Sequence, residues 1–432
     1  MAAASCDVLV VGGGPGGSTV AAVLAERGRE VVLLEKAQHP RFHIGESLLP
    51  ANIPLFEKLG IAEDVRKIGE WKPGAEFVSD AYDKSNVFFF ASASHLVAKH
   101  SYQVRRATFD HLLFEHARRR GAKTVENTRV TGIDFAAGER PLVTAVGPGG
   151  ETLTWRPRFV VDASGRDTLL ASQLGLKTAN KRNNSAAIFG HFEGVPRRPG
   201  EAAGIISLHL VEDGWFWMIP LPDGPMSVGL VGNPSLFKNR RGASIADLFW
   251  STVRSSQSVR ERMAEARLIG ELTTTSNYSY TARTALGPHH LMIGDAYRFI
   301  DPIFSSGVMI AMTSGIRGGE AIDLFLRDER AGRRALRRFQ RQVARATAHL
   351  AWLMYRINDP VIRFLFLHPN NRFGLRDGLL SLLAGEIFDL SRATQARVLA
   401  FRGLYYVMRA FGRRVTEPTA GMRKLEVSAK TR

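Results

Sequence analysis

The segment CDVLVVGGGPGGSTVAAVLAERGREVVLLEK, from Cys6 to Lys36, constrains the fold more than any other part of the chain. Cys6 to Val11 is a continuous apolar run, as a parallel strand buried on both faces requires. A glycine-rich turn then opens a helix that runs through Ala25 and stops at Gly28, and EVVLLEK (30–36) supplies the next strand. Gly12, Gly14 and Gly17 occupy the GxGxxG positions between strand and helix. Gly12 permits the tight turn, Gly14 lets the backbone approach a pyrophosphate, and Gly17 lets helix and strand pack closely, while the helix N-terminus favours phosphate charge. Glu35, 23 residues after Gly12 at the end of the second strand, is placed to bind ribose hydroxyls. This unit predicts a parallel α/β sheet that binds a dinucleotide, either NAD or FAD.

The rest of the chain departs from that pattern and returns to it. Helical spacing recurs at 107–121, a turn at 146–150, and a strand at 158–165. Between about 184 and 285 the runs SAAIFGHFEG, GIISLHLV, GWFWMIPL and PMSVGLVG lie between Gly, Pro and Asp turns and read as an antiparallel sheet, with a helical piece near 243–266. HLMIGDA (290–296) resumes the first lobe, a helix begins near Ser306, and the remainder is mostly helical. The implied architecture is a sheet inserted between separated pieces of a nucleotide-binding lobe. Its expected bounds are 1–75, 100–180 and 286–320 for that lobe, 76–99 and 181–285 for the inserted β-sheet lobe, and 321–432 for a helical, basic C-terminal region.

Composition narrows the function. A chain of 432 residues, 45% apolar, buries a core large enough for two or three lobes. One cysteine, Cys6, excludes a disulfide framework and a redox thiol pair, which points to the cytoplasm. The N-terminus has no basic region before its short apolar run, so no signal peptide is expected, and no stretch reaches the length of a transmembrane segment. Net charge is +17, and from Glu320 to Arg432 there are 22 Lys and Arg against 10 Asp and Glu. That excess suits nucleic acid, an anionic membrane surface, an acidic protein partner, or simply a solvated arginine-rich face such as RRALRRFQRQ (333–342). No nucleic-acid module accompanies it, so no nucleic acid is expected. His289 with His290, and His111 with His116, lack metal-ligand spacing; HExxH, GxSxG and paired cysteines are absent, and no metal is expected.

The choice between NAD and FAD rests on later segments. A second GxGxxG for a nicotinamide is missing, since VGPGG (146–150) has no helix after it. In GDAYRFIDPIFSSGV (294–308), Asp295 is placed to bind a ribityl hydroxyl, and the helix start at Ser306 and Gly307 would favour negative charge on a reduced isoalloxazine.

RFHIGESLLP (41–50) with its Arg41 and Ser47, Arg106 in RRATFDHLLFEHA, DASGR (162–166) and the GDA segment together resemble the flavin-dependent halogenases, within the para-hydroxybenzoate-hydroxylase-like group. The resemblance runs from about Cys6 to about Glu386. It implies a Rossmann-like FAD-binding lobe of the glutathione-reductase type, with Gly12, Gly14, Gly17, Glu35, Arg41, Ser47, Arg106, Asp295 and Gly307 at the cofactor. Three signatures carry the narrower likeness. WFWMIP is similar to the halogenase motif WxWxIP through Trp215, Trp217, Ile219 and Pro220, whose alternation puts both indoles on one face of a strand as an apolar wall. Lys72 in EWKPGAEF resembles the family lysine that waits at the end of a tunnel from the flavin and holds hypohalous acid or forms a haloamine with it. FIDPIFSSG matches FxxPxxSxG through Phe299, Pro302, Ser305 and Gly307, and backbone N–H groups of Ser306 and Gly307 would hold a halide there.

What the resemblance implies is a two-component enzyme of natural-product biosynthesis. FADH2 from a separate flavin reductase reacts with O2 to a C4a-hydroperoxide, chloride or bromide attacks it, and hypohalous acid reaches an electron-rich aromatic through Lys72. Halogenases of free tryptophan carry a glutamate before the serine matched by Ser305, and here that place is Phe304. Phenols and pyrroles need less help from such an acid, so the expected substrate is a phenol or pyrrole, free or on an acidic acyl or peptidyl carrier protein. A monooxygenase, a geranylgeranyl-reductase-like oxidoreductase using NAD(P)H, and a flavin-binding interaction protein without catalysis are the rival readings.

Overall fold

The computed structural model describes residues 3–411 apart from 213, 233, 239–241, 243 and 301. The chain forms two compact units. The first comprises Met1–Ile68, Val104–Arg182 and Tyr278–Ala348, and the second Gly69–Gln103, Asn183–Asn277 and His349–Arg432. Residues from 321 onwards divide between them: up to Ala348 they cluster with the first unit and from His349 with the second.

The sheet of the first unit has the order Lys123–Val125, Val31–Leu34, Ala4–Val11, Thr152–Asp162, Leu142–Val146, Arg129–Asp134, with His290–Met292 also beside Thr152–Asp162. The pairs around Ala4–Val11 are parallel, whereas Leu142–Val146 joins antiparallel to its two neighbours. Thr152–Asp162 serves both ways: its first residues pair with Leu142–Val146, its last with His290–Met292. This strand is longer at its start than the sequence suggests and ends at Asp162, so DASGR leaves the sheet as a loop. Val8, Leu9 and Val10 are fully buried, as a run without alternation requires. Helix Pro15–Glu26 follows the glycine turn, and helix Gly307–Arg327 packs along it. Gly315 and Gly319 permit that approach: an added Cβ would lie 2.8 Å from Gly16 O and from Val23 Cγ1, respectively.

In the second unit, the strands Met226–Gly232, Gly214–Pro220 and Ile206–Val211 form an antiparallel meander. Gly74–Ser79 then adds parallel to Ile206–Val211, and Lys84–Phe89 closes that edge. Lys177–Glu193 pairs on the other side of the meander, next to Arg267–Ala282. These two strands, 17 and 16 residues long, carry the chain out of the first unit and back. One sheet face is a core of Ile188, Phe192, Phe216, Met218, Val228 and Leu230 under Phe249, Val253 and Val259 of helices Ile245–Ser255 and Gln257–Arg262. Burying side chains of that size contributes about 1.5–3 kcal/mol each.

Candidate active site

The candidate site residues fall in two clusters, one in each unit. In the first, the glycine turn is sterically obligatory at two positions. Gly12 has φ +98, and a Cβ there would stand 2.5 Å from Ala163 O; at Gly17 it would stand 1.8 Å from Gly12 O. Gly14 meets only Arg41 Nη2, at 3.7 Å, so its outer side is open. Glu35 is buried at the end of its strand, and its Oε2 accepts the Gly13 N–H (2.7 Å) while Oε1 accepts that of Ala37 (3.0 Å). The carboxylate thereby fixes the turn and keeps lone pairs free for a ligand.

Arg41 reaches into the same place, with Nη2 3.5 Å from Glu35 Oε2 and Nη1 3.6 Å from Asp110 Oδ2. Its buried Nε has no hydrogen-bond partner among the described residues, which is the feature expected where an anionic group belongs. Arg106 is more fully committed. It donates from Nε and Nη2 to the two carboxylate oxygens of Asp110 (2.8 and 3.0 Å) and from Nη1 to Ile44 O (2.6 Å). Burial pushes Asp110 up, but the charge and hydrogen bonds of Arg106 outweigh it and hold the carboxyl below its ordinary value. Gly45, at φ +100, leaves room for Arg106 Nη1, which a Cβ would meet at 3.0 Å. Ser47 is buried on the segment that follows.

Asp295 keeps part of its surface accessible, yet loss of hydration lifts its carboxyl to about 6 against the pull of Arg166 and Arg106. Ser305 takes a left-handed conformation (φ 55), Ser306 precedes helix Gly307–Arg327, and Gly307 is exposed. Ser306, at the N-cap, makes no capping hydrogen bond through its side chain, contrary to the ordinary reading of a serine at a helix start. A Cβ on Gly307 would meet nothing within 4 Å, so the side of the helix start at this residue is open. Phe304 is buried beside them.

Two acids of this unit escaped sequence reasoning. Asp110 was legible in principle as the i+4 partner of Arg106 on one helix. Asp162 is fully buried, accepts the N–H groups of Ser164 (2.9 Å) and Leu170 (2.8 Å), and so shapes the DASGR loop. Desolvation by burial raises its carboxyl above the ordinary value.

In the second unit, Lys72 ends the strand Gly69–Lys72 with only 1% of its surface exposed. A lysine before Pro-Gly ordinarily belongs to a surface turn, and strand alternation explains the reversal. Trp71 points outward and stacks on His100 (centroids 3.8 Å apart), which turns Lys72 to the opposite side. The strand is held close by Gly204, where a Cβ would lie 1.7 Å from Trp71 O. Lys72 Nζ lies 5.8 Å from the ring centroid of Phe90. Burial lowers its amine from 10.5 to about 7, so near neutral pH much of it is the free base.

Trp215, Trp217 and Ile219 share one face of Gly214–Pro220 and are all buried, with the two indoles 6.0 Å apart. Trp217 Nε1 donates to Ser227 Oγ (3.1 Å), and its ring covers Gly229, where a Cβ would be 2.1 Å from Cζ2. Phe216 and Met218 face the helix-covered core on the other side. The alternating aromatics therefore form a second buried surface.

Residues 5–350 match the FAD binding domain family, and the chain belongs to it. A tryptophan 2-halogenase of Chondromyces crocatus is 35% identical over 331 residues, 75% of this chain and 62% of that protein. A 1H-pyrrole-2-carbonyl-[peptidyl-carrier protein] chlorinase of Pseudomonas fluorescens is 28% identical over 413 residues, 89% of this chain and 90% of its own. Among solved structures, the myxobacterial chondrochloren halogenase CndH is 30% identical with a TM-score of 0.77, covering 93% of this chain and 97% of that one. Within the FAD-binding family, the chain is a flavin-dependent halogenase homologue, though it spans only 62% of the length of the tryptophan 2-halogenase. No helix among the described residues is long and apolar enough to cross a membrane.

Proposed function

We propose that this protein halogenates an electron-rich aromatic, a phenol or pyrrole, using reduced FAD, O2 and chloride or bromide. The observation that carries the reading is the buried amine of Lys72, held near a pKa of about 7 at the end of a strand.

The FAD fit rests on the open side of Gly14, the Glu35 carboxylate and the unsatisfied Nε of Arg41. In this reading the glycine turn and Arg41 hold the diphosphate, Glu35 the ribose, and Asp295 the ribityl chain. Arg106 positions the Gly45 loop and Ser47, and Gly307 lies at the flavin edge. When bound and reduced, FAD supplies the oxygen activation that converts halide to hypohalous acid. Ser306 and Gly307 offer halide the amides of an uncapped helix start, with Ser305 shaping the turn.

Hypohalous acid then meets the Lys72 amine. An N–X bond forms, the O–X bond breaks, and water leaves. The N–X bond then breaks as the aromatic carbon takes the halogen, nitrogen keeps the electron pair and takes a proton from solvent to restore the amine, and the ring proton passes to solvent. Only the unprotonated amine has the lone pair this needs. In this reading the buried indoles of Trp215 and Trp217 serve to shield the aromatic from direct oxidation.

Phe304 stands where an acid would assist a poorly activated ring, which favours phenols and pyrroles. Delivery on an acidic carrier protein is supported by the name of the Pseudomonas fluorescens relative and by the basic residues after Glu320. A separate flavin reductase would supply FADH2. The test is product mass spectrometry with reductase, chloride and a free phenol or carrier-bound pyrrole. Chlorinated product supports the reading; rapid NAD(P)H oxidation by the protein alone, giving hydroxylated or saturated product without halide, supports a monooxygenase or reductase instead.

A further inference from the structure

The helix Glu329–Met354 lies in the first unit up to Ala348. Its inner positions Leu336, Phe339, Val343 and Ala346 are buried and hold it in place. Its outer positions carry Arg330, Arg334, Arg337, Arg338, Arg341 and Arg345, all exposed. Spacings of three and four residues put the six on one face, along about 22 Å of helix. Glu329 pairs with Arg333, which lies off this row (Oε1 to Nη2, 2.6 Å). Among the described residues, no carboxylate stands within the 4.0 Å ion-pair distance of the six guanidinium groups.

Such a row disfavours the isolated helix on two counts. Arg330/Arg334, Arg334/Arg338, Arg337/Arg341 and Arg341/Arg345 are like-charge neighbours one turn apart. Arg330 and Arg334 also lie near the helix N-terminus, where the dipole is already positive. A face that serves only solvation intersperses both signs. The row contains no aromatic or long aliphatic side chain, so it lacks the apolar wedge of a membrane-binding helix and the stacking platform of a single-strand binder.

From this geometry we infer that the arginine row docks a small acidic protein that presents a helix lined with carboxylates, and that this partner is the carrier delivering the substrate. The identity of the partner rests on the carrier-bound reading above. Guanidinium groups bind carboxylates in pairs of parallel hydrogen bonds, and a row on one helix matches a row on another. Docking there relieves the repulsion within the row, and it would be fast and salt-sensitive.

The test uses the full chain loaded with FAD, and a variant R334E/R337E/R341E. The probe is the phosphopantetheine-bearing carrier protein on which the Pseudomonas fluorescens chlorinase acts, without its acyl group. Duplex DNA and vesicles of phosphatidylglycerol are measured alongside. The expected result is carrier binding that weakens steeply with salt and falls by about tenfold or more in the variant. The unfolding temperature does not fall below the wild-type value, since the substitutions remove like-charge neighbours, and the turnover of a free phenol stays at the wild-type level. Equal carrier binding by both proteins, no carrier binding at all, or preferential binding of DNA or vesicles through the row would each overturn it. Failure of the wild type to halogenate both a free phenol and a carrier-bound pyrrole would instead count against the catalytic reading, leaving the docking result to stand on its own.

Discussion

Lys72 is where function and stability oppose each other. Lowering an amine from 10.5 to about 7 costs on the order of 4 to 5 kcal/mol while the native amine is protonated. Between pH 7 and 10.5 the unfolded chain keeps a proton that the native amine has lost, so stability climbs with pH through that window and is flat below it. Lys72→Met should therefore raise the unfolding temperature near pH 7, and the gain should shrink as pH approaches 10.5; thermal melts of both proteins across pH check it. Halogenation should fall as pH drops through about 7 while FADH2 consumption continues, because the protonated amine lacks its lone pair. Product yield per FADH2, measured against pH, reads this directly. The sequence marked Lys72 only through the likeness of EWKPGAEF to the family segment, because burial depends on partners distant in sequence: Trp71 packs against His100, and Gly204 admits the strand.

Elements built from neighbouring residues were legible, and those built from distant ones were not. The strand, turn and helix from Cys6 to Glu26 followed from an apolar run and three glycines, because every constraint is local. Gly17→Ala tests the turn: a Cβ 1.8 Å from Gly12 O forces turn and helix apart, at a cost of about 1–3 kcal/mol. The purified variant should lack the visible absorbance of bound FAD. Lys177–Glu193 begins seven residues or more before the apolar run that announced it, since TANKRNN gives no alternation to read. Arg267–Ala282 was hidden in the same way by its polar middle, ELTTTSN. The tryptophan wall depends on register as well as pattern, because Trp217 lies over Gly229 of the adjacent strand. Gly229→Ala should displace that indole, destabilise the protein by about 1–3 kcal/mol, and change the near-ultraviolet circular dichroism. Retained FAD with lower halogenated yield is the expected companion result.

For the molecule as a whole, two discontinuous units each hold one cluster, with dinucleotide-binding residues in the first and the buried lysine with paired indoles in the second. Composition suggested more than one lobe and the run of motifs suggested that their pieces interleave, but the strands of 17 and 16 residues that carry the chain across and back were not legible at that length. The net charge of +17 and an arginine-rich face at 333–342 were legible too, but the full row from Arg330 to Arg345 needs the helix and its buried side to be known. The account turns on an amine that receives halogen from an oxidant and passes it to carbon. The most direct measurement compares wild type and Lys72→Met, each supplied with reductase, FAD, NADH, chloride and an electron-rich phenol, by mass spectrometry of the product alongside FADH2 consumption. Wild type should give the chlorine isotope pattern, and the variant should lose it by about a hundredfold or more while consuming FADH2 at a similar rate. Chlorination by the variant at the wild-type rate, or halide-independent hydroxylation by both, would contradict the account.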